Sequence, residues 1–254
     1  MPARIKFEQF NLAVHVTLSY PRRFNAMSRA MWRDLRAVFE RIQDMTDVRC
    51  VLVTGEGAHF CAGGDISEYA SFRFNEASLR EFHELEVWGA LNAMLACDVP
   101  MVAQIAGNCM GAGVEIASCC DIRLAAESAR FGAPIARLGF PMAPREAALV
   151  AREAGLTTAR QMLLEAAVFS APDMLQRGFL SRVVADVDVS AEARATVQRI
   201  CELAPQAARL NKQTLRALIN DQLPGLLATA YDYADSAEQR EGISAFLEKR
   251  QPDF

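Results

Sequence analysis

Ala106-Gly107-Asn108-Cys109-Met110-Gly111-Ala112-Gly113-Val114-Glu115-Ile116-Ala117, closed by Cys119-Cys120-Asp121, decides how this chain is read. An apolar run over 99–106 has the character of a buried strand and feeds a glycine-rich turn. A helix is then expected to open near Gly111, with Glu115 in its first turn. Such a turn offers free backbone N–H groups and the positive end of a helix dipole to whatever lies above it. Glycines and Ala112 let the backbone approach a ligand closely, because nothing larger than a methyl intervenes. An anion held there would have Glu115 beside it to move a proton. Glycine-rich strand-to-helix turns serve many chemistries, so the stretch acquires meaning only from a second one.

That second stretch lies upstream. Residues 50–54 read as a short buried strand, Gly55-Glu56-Gly57-Ala58-His59 as a turn, and Phe60-Cys61-Ala62-Gly63-Gly64-Asp65-Ile66 follows. Small residues before an acid at a helix start again suggest exposed N–H groups. Taken alone, the plainer reading is a tight turn with Asp65 as a helix cap.

The bulk properties narrow the class. A chain of 254 residues, 52% hydrophobic and 23% charged, fits one large α/β core or a core with an appendage. A net charge of −4 argues against a general nucleic-acid-binding surface. Seven cysteines, an odd number with no C-x-x-C pair, predict reduced buried thiols rather than a disulfide framework or a zinc site. The longest nearly apolar run, 87–97, is too short to span a bilayer. A cytoplasmic protein without membrane or nucleic-acid partners is the expectation.

Along the chain, 11–20 alternates as a half-buried strand, with Leu12, Val14, Val16 and Leu18 on one face and His15 on the polar one. Ser28 is placed to cap a helix whose apolar positions are Met31, Trp32, Leu35, Val38, Phe39 and Ile42. Residues 67–80 are polar and irregular. A helix is expected over 81–97, with Phe82, Leu85, Trp88, Leu91 and Leu95 forming its stripe and His83 off it, in solvent. Further on, 122–125 reads as a strand and 129–134 as a crossing loop. Helices are expected over 145–154 and from Thr157 or Thr158 through Phe169. Ser170-Ala171-Pro172-Asp173 has the form of a capping box, and 178–184 returns as a strand. Beyond residue 190 only helical patterns occur, over 190–203, 205–220, 223–235 and 237–249. The expected division is a core over 1–190 and a helical region over 191–254.

The order and spacing of these segments resemble the crotonase superfamily, the enoyl-CoA hydratase/isomerase fold, over almost the whole length. Pro21-Arg22-Arg23-Phe24-Asn25-Ala26-Met27 is similar to its early turn, and the two glycine-rich stretches to its two oxyanion loops. Phe131-Gly132-Ala133-Pro134, Gly178-Phe179-Leu180-Ser181-Arg182-Val183 and the terminal run 240–250 also match. The resemblance implies an α/β fold: a spiral of repeated ββα units followed by a C-terminal helical trimerisation region, as a trimer or a dimer of trimers. It implies an acyl-CoA substrate, with coenzyme A present only as part of the thioester and no permanently bound cofactor or metal. Carried over by residue, the thioester oxygen would sit between the backbone N–H groups of Gly64 and Ala112, with Glu115 as acid/base. Arg23, Ala26, Ala62, Asp65, Ile66 and Gly111 would line the ligand, and Phe246 and Lys249 would close the coenzyme A site across a subunit boundary.

One departure bears on the reaction. Hydratases of this family use two glutamates that hold a water between them, and the second would stand immediately after Phe131-Gly132-Ala133-Pro134. That position is Ile135, a hydrocarbon that neither orients water nor carries a proton. Three readings stay open: single-base double-bond isomerisation by Glu115; slow hydration, with help from a group such as Glu68; or another thioester reaction, hydrolysis or decarboxylation. An acyl-CoA-binding accessory protein with little turnover is the alternative outside catalysis. Asp121 is read as a structural acid, and Arg137 and Arg145 as surface or ion-pair residues.

Overall fold

The computed structural model describes residues 2–254, and strands buried on both faces organise it. β1 (Arg4–Phe10) and β2 (Ala13–Ser19) form an antiparallel hairpin. The sequence pattern does not foretell β1, and Leu12 falls just before β2 and is exposed. Val14, Val16 and Leu18 are fully buried, as the alternation predicts. α1 (Arg29–Gln43) starts where Ser28 Oγ accepts the N–H of Met31 at 3.2 Å, and it buries Met31, Trp32, Leu35, Phe39 and Ile42. β3 (Cys50–Gly55) is apolar without a break because Val51 and Val53 face one core while Cys50 and Leu52 face another.

The polar segment after β3 is more ordered than its composition suggests. A 3₁₀ turn over Ile66–Ser71 is capped by Asp65, whose Oδ1 accepts the N–H of Ser67 at 3.1 Å. α2 (Glu76–Glu81) then runs into a π-helical stretch, Phe82–Val87, and on into α3 (Trp88–Ala96). The wide π turn rotates the face that a regular helix would present. Leu85 is therefore exposed, whereas Glu86 and Val87 are buried, which corrects the expected stripe.

From there the chain repeats one device. β4 (Met101–Ile105), β5 (Asn108–Met110) and α4 (Ala112–Ser118) follow one another, then β6 (Ile122–Ala126), β7 (Arg130–Gly132) and α5 (Pro144–Ala154). After α6 (Leu156–Leu164) come β8 (Val168–Ser170), α7 (Ala171–Gln176) and β9 (Arg182–Val184). The large sheet has the order β1-β2-β3-β4-β6-β9, parallel from β2 onward, and the small sheet β5-β7-β8. The units β4-β5-α4 and β6-β7-α5 each place one strand in each sheet and then a helix, the expected ββα spiral. Pairing of β7 with β8 accounts for two corrections. Part of 129–134 is strand rather than loop, and the helix expected through Phe169 stops at Leu164. The capping box forms, with Ser170 and Asp173 exchanging bonds at the start of α7.

α8 (Val189–Cys201) lays Ala193, Val197 and Cys201 over Ala13, Cys50, Leu52, Val102 and Leu124, so it covers the outer face of the large sheet. α9 (Pro205–Ile219) is held by polar contacts: Arg209 donates to the carbonyls of Met45 and Val48, and Arg216 pairs with Asp98 at 2.7 Å. The helix expected over 223–235 reduces to α10 (Leu223–Leu226) and a 3₁₀ turn over Asp232–Asp235, before α11 (Ala237–Glu248). This terminal region leaves Leu218, Leu227, Tyr231, Phe246 and Leu247 exposed. Among the described residues no helix is long and apolar enough to cross a membrane, and all seven cysteines are free and buried.

Candidate active site

Main-chain bonds zip the two glycine-rich turns together. Cys61 N–H donates to the Asn108 carbonyl at 2.9 Å, and Met110 N–H donates to the Cys61 carbonyl at 2.8 Å, a parallel bridge between Cys61 and Cys109. Gly113 permits the approach, since a Cβ there would lie 2.7 Å from the Cys61 carbonyl oxygen. Asn25, fully buried in the early turn, anchors the upstream loop: its Nδ2 donates to the carbonyls of Glu56 at 2.9 Å and His59 at 2.7 Å.

The bonds on either side of Gly64 are satisfied. Met27 N–H donates to the Gly63 carbonyl and Asp65 N–H to the Met27 carbonyl, both at 2.8 Å. The N–H of Gly64 between them meets no acceptor among the described residues, and neither does the N–H of Ala112, the first residue of α4. Gly111 makes that helix start sharp, with φ +47°, a conformation glycine adopts readily. Both unengaged donors line a cavity of about 360 Å³. Of the expected site residues, Ala62, Gly64, Ile66, Gly111, Ala112, Glu115 and Ile135 meet there. Arg23, Ala26, Asp65, Phe246 and Lys249 do not line it. Arg23 lies 3.8 Å from Asp65, and Phe246 and Lys249 are exposed on the terminal helix and its cap.

The cavity also gathers residues that the sequence reading missed. Glu146, in the first turn of α5, is only 3% exposed, and its Oε1 lies 2.8 Å from His83 Nδ1. His83 Nε2 in turn lies 3.2 Å from Arg73 Nη2. The Arg73 guanidinium stacks over Phe140 at 3.9 Å and Tyr69 at 4.2 Å, and its Nε is buried without a partner. The expectation of a solvated His83 is thus corrected: the π turn that buries Glu86 also carries His83 to the cavity wall. Glu68 is corrected as well, because its Oε2 accepts the N–H of Arg29 at 2.8 Å and the residue does not line the cavity. A carboxylate in the first turn of the expected helix over 145–154 is the one sequence signal that could have pointed to Glu146.

Glu115 is 7% exposed and its carboxyl makes no hydrogen bond among the described residues. Burial pushes its pKa well above the ordinary carboxylate range, the charge of Glu146 pushes it further, and Arg73 opposes both. Burial likewise raises the Tyr69 phenol and pushes the Cys61 thiol up to about 12, so Cys61 is not a thiolate nucleophile. Asp121 has the structural role expected of it, accepting the Met101 N–H at 2.7 Å and pairing with Lys212 at 2.8 Å. Arg145 pairs with Glu84 at 3.4 Å, while Arg137 is exposed at the cavity wall. No cluster of metal-ligating side chains occurs among the described residues.

The sequence family described as enoyl-CoA hydratase/isomerase matches residues 9–254. The chain belongs to the enoyl-CoA hydratase/isomerase family. It is 32% identical over 243 residues to a probable enoyl-CoA hydratase of Mycobacterium tuberculosis, covering 94% of this chain and 93% of that one. It is 30% identical over 242 residues to a short-chain-enoyl-CoA hydratase of Clostridium acetobutylicum, covering 92% and 91%. Among solved structures, an enoyl-CoA hydratase/carnithine racemase from Magnetospirillum magneticum superimposes with a TM-score of 0.95 at 36% identity, over 100% of this chain and 96% of that one. Its fold is accordingly the crotonase-like spiral, and a hydratase/isomerase-type enzyme is the class these relatives support. Membership fixes the scaffold, while the reaction depends on the side chains this family member places in the cavity.

Proposed function

We propose that this chain processes acyl-CoA thioesters by stabilising an enolate, with the N–H groups of Gly64 and Ala112 as the oxyanion hole and Glu115 as acid/base. One observation carries this reading: two main-chain donors without acceptors line the same cavity as a buried, unbonded carboxyl group. Removal of a proton at the α or γ carbon, or addition of a nucleophile at the β carbon, moves charge onto the thioester oxygen. Two fixed donors aimed at that oxygen lower the barrier, and losing one costs about 3–4 kcal/mol in comparable sites. Because the donors are main-chain, the methyl of Ala112 leaves them intact. The apolar wall formed by Ile66, Ile135 and Phe140 suits a hydrocarbon acyl chain.

The coenzyme A moiety is assigned to the face carrying Arg23, Ala26 and Ala62, with Phe246 and Lys249 supplied by a neighbouring copy. The exposed apolar side chains at Leu218, Leu227 and Phe246 support a homo-oligomer built through the terminal helices, as a trimer or a dimer of trimers. Seven reduced, buried thiols fit a cytoplasmic setting.

Incubating the protein in D₂O with saturated and 2-enoyl-CoA thioesters tests the reading. Deuterium entering at C2, or water adding at C3, is expected, and Glu115→Gln should abolish both while thioester binding persists. Binding without exchange or turnover would instead make the chain an acyl-CoA-binding protein, and release of free coenzyme A would reveal a hydrolase.

A further inference from the structure

The hydrogen bonds around His83 have only one consistent direction. A guanidinium carries donors and no acceptor, so the 3.2 Å contact between Arg73 Nη2 and His83 Nε2 requires a lone pair on Nε2. The imidazole is then neutral with its proton on Nδ1, and that proton is donated to Glu146 Oε1 at 2.8 Å. Glu146 therefore acts as an acceptor, at the start of an 11-residue helix whose dipole favours its negative charge. Glu115 also stands in the first turn of a helix, α4, but that helix is only seven residues long and no side chain among the described residues donates to the carboxyl. That carboxyl is buried and shares the cavity with the Glu146 charge. Two carboxyl groups in such unlike surroundings rest with one proton between them, on Glu115.

We propose that Glu146 is the second proton-transferring carboxylate of this site, acting opposite Glu115, with His83 and Arg73 as positioning residues that set its direction and charge. This rests on the acyl-CoA reading above, and it goes beyond that reading by restoring water addition to a site that has Ile135 at the family's second glutamate position. The resting protonation matches a 2-enoyl thioester. Glu146 takes a proton from water as the water oxygen bonds to C3. The C2–C3 π pair moves toward the thioester oxygen and returns to C2. There the O–H bond of Glu115 breaks and a C2–H bond forms. Glu115 ends ionised and Glu146 protonated, and one proton exchanged through solvent resets the pair. No other reactant is needed.

The test uses full-length protein, crotonyl-CoA for hydration and butyryl-CoA in D₂O for C2 exchange. Glu146→Gln should lose about 10²–10⁴-fold in hydration, the span of a general base. It should retain the Glu115-dependent exchange, with thermal melting confirming that the variant folds. Glu115→Gln should lose both. His83→Phe, which removes the N–H donor, should lower kcat for hydration with little change in KM, and His83→Asn, which keeps an N–H, should recover part of the loss. A folded Glu146→Gln that hydrates at the wild-type rate overturns the proposal. So does a wild-type protein that exchanges C2 protons but hydrates nothing, and this outcome leaves the proposed function standing. A wild-type protein with neither activity removes both.

Discussion

The hydroxyl of Tyr69 packs so closely against Gly64 that a Cβ built on that glycine would lie 2.1 Å from it. The tyrosine, on the 3₁₀ turn that follows the first loop, thereby fences one side of the residue that offers an unengaged N–H to the cavity. Gly64→Ala should push the phenol toward the cavity and lower kcat/KM by about 10²-fold or more, the order of losing an oxyanion donor. Tyr69→Phe combined with Gly64→Ala should recover part of that loss, because only the hydroxyl makes the closest contact. Steady-state kinetics of the double-mutant cycle checks the pairing, and strictly additive losses would refute it.

Glu115 links the site to stability. Its folded pKa is raised, chiefly by burial and then by Glu146. Above the ordinary value of 4.5 the unfolded chain has released this proton while the native state still holds it. The native state then binds more protons, so stability falls as pH rises through the window between 4.5 and the raised value. Glu115→Gln should accordingly melt at a higher temperature than wild type at pH 7–8, with the advantage vanishing near the ordinary value. Melting curves over that range decide it.

Introducing a carboxylate at Ile135 should not help. The cavity already holds Glu115 and Glu146, and a third acid in the same low-dielectric space raises the cost of ionising any of them. Ile135→Glu is expected to lose stability at neutral pH and to gain no hydration activity. A strong rise in crotonyl-CoA hydration would mean that the carboxylate missing at this position had limited the wild type.

Gly113 keeps the two turns in contact. A methyl there meets the Cys61 carbonyl oxygen at 2.7 Å and the Cys61 Cβ at 3.0 Å, and Cys61 is fully buried. Gly113→Ala should cost about 1–3 kcal/mol as an overpacking substitution. Turnover should fall further than stability does, since the displaced loop is the one that carries Gly64. Denaturant titration beside kinetics separates the two effects.

A last prediction concerns the π turn. Glu86, 7% exposed, receives Arg29 at 2.7 Å and Arg33 at 2.9 Å. Both arginines reach solvent, so Glu86→Gln should destabilise by about 2–3 kcal/mol, below the ~3–5 kcal/mol of a fully enclosed pair. Chemical denaturation measures it, and retention of the His83 contact would show in an unchanged kcat for hydration.

Much of this was visible in the sequence, for a physical reason. The donor pair depends on small residues at fixed places, and Gly64, Gly111 and Ala112 declare themselves through the absence of side chains. The periodicity of α1 and the unbroken apolar run of β3 likewise follow directly from burial. His83, Arg73 and Glu146 escaped because they come together only in three dimensions, from three separate segments. The π turn hid them further, since a regular helix would have aimed Leu85 inward and His83 outward. Strands such as β7 and β8 are only three residues long, too short for alternation to register, and only their pairing with each other defines them.

The bridge between Cys61 and Cys109 has an evolutionary corollary. Spacing between the two free N–H groups is set by peptide geometry and ladder register, so replacing a cavity side chain such as Ile135 leaves it untouched. A lineage can therefore exchange the position of its acids, as we propose for Glu146 beside Ile135, while inheriting the two N–H groups unchanged. An insertion or deletion between either bridging cysteine and its donor would change that spacing outright.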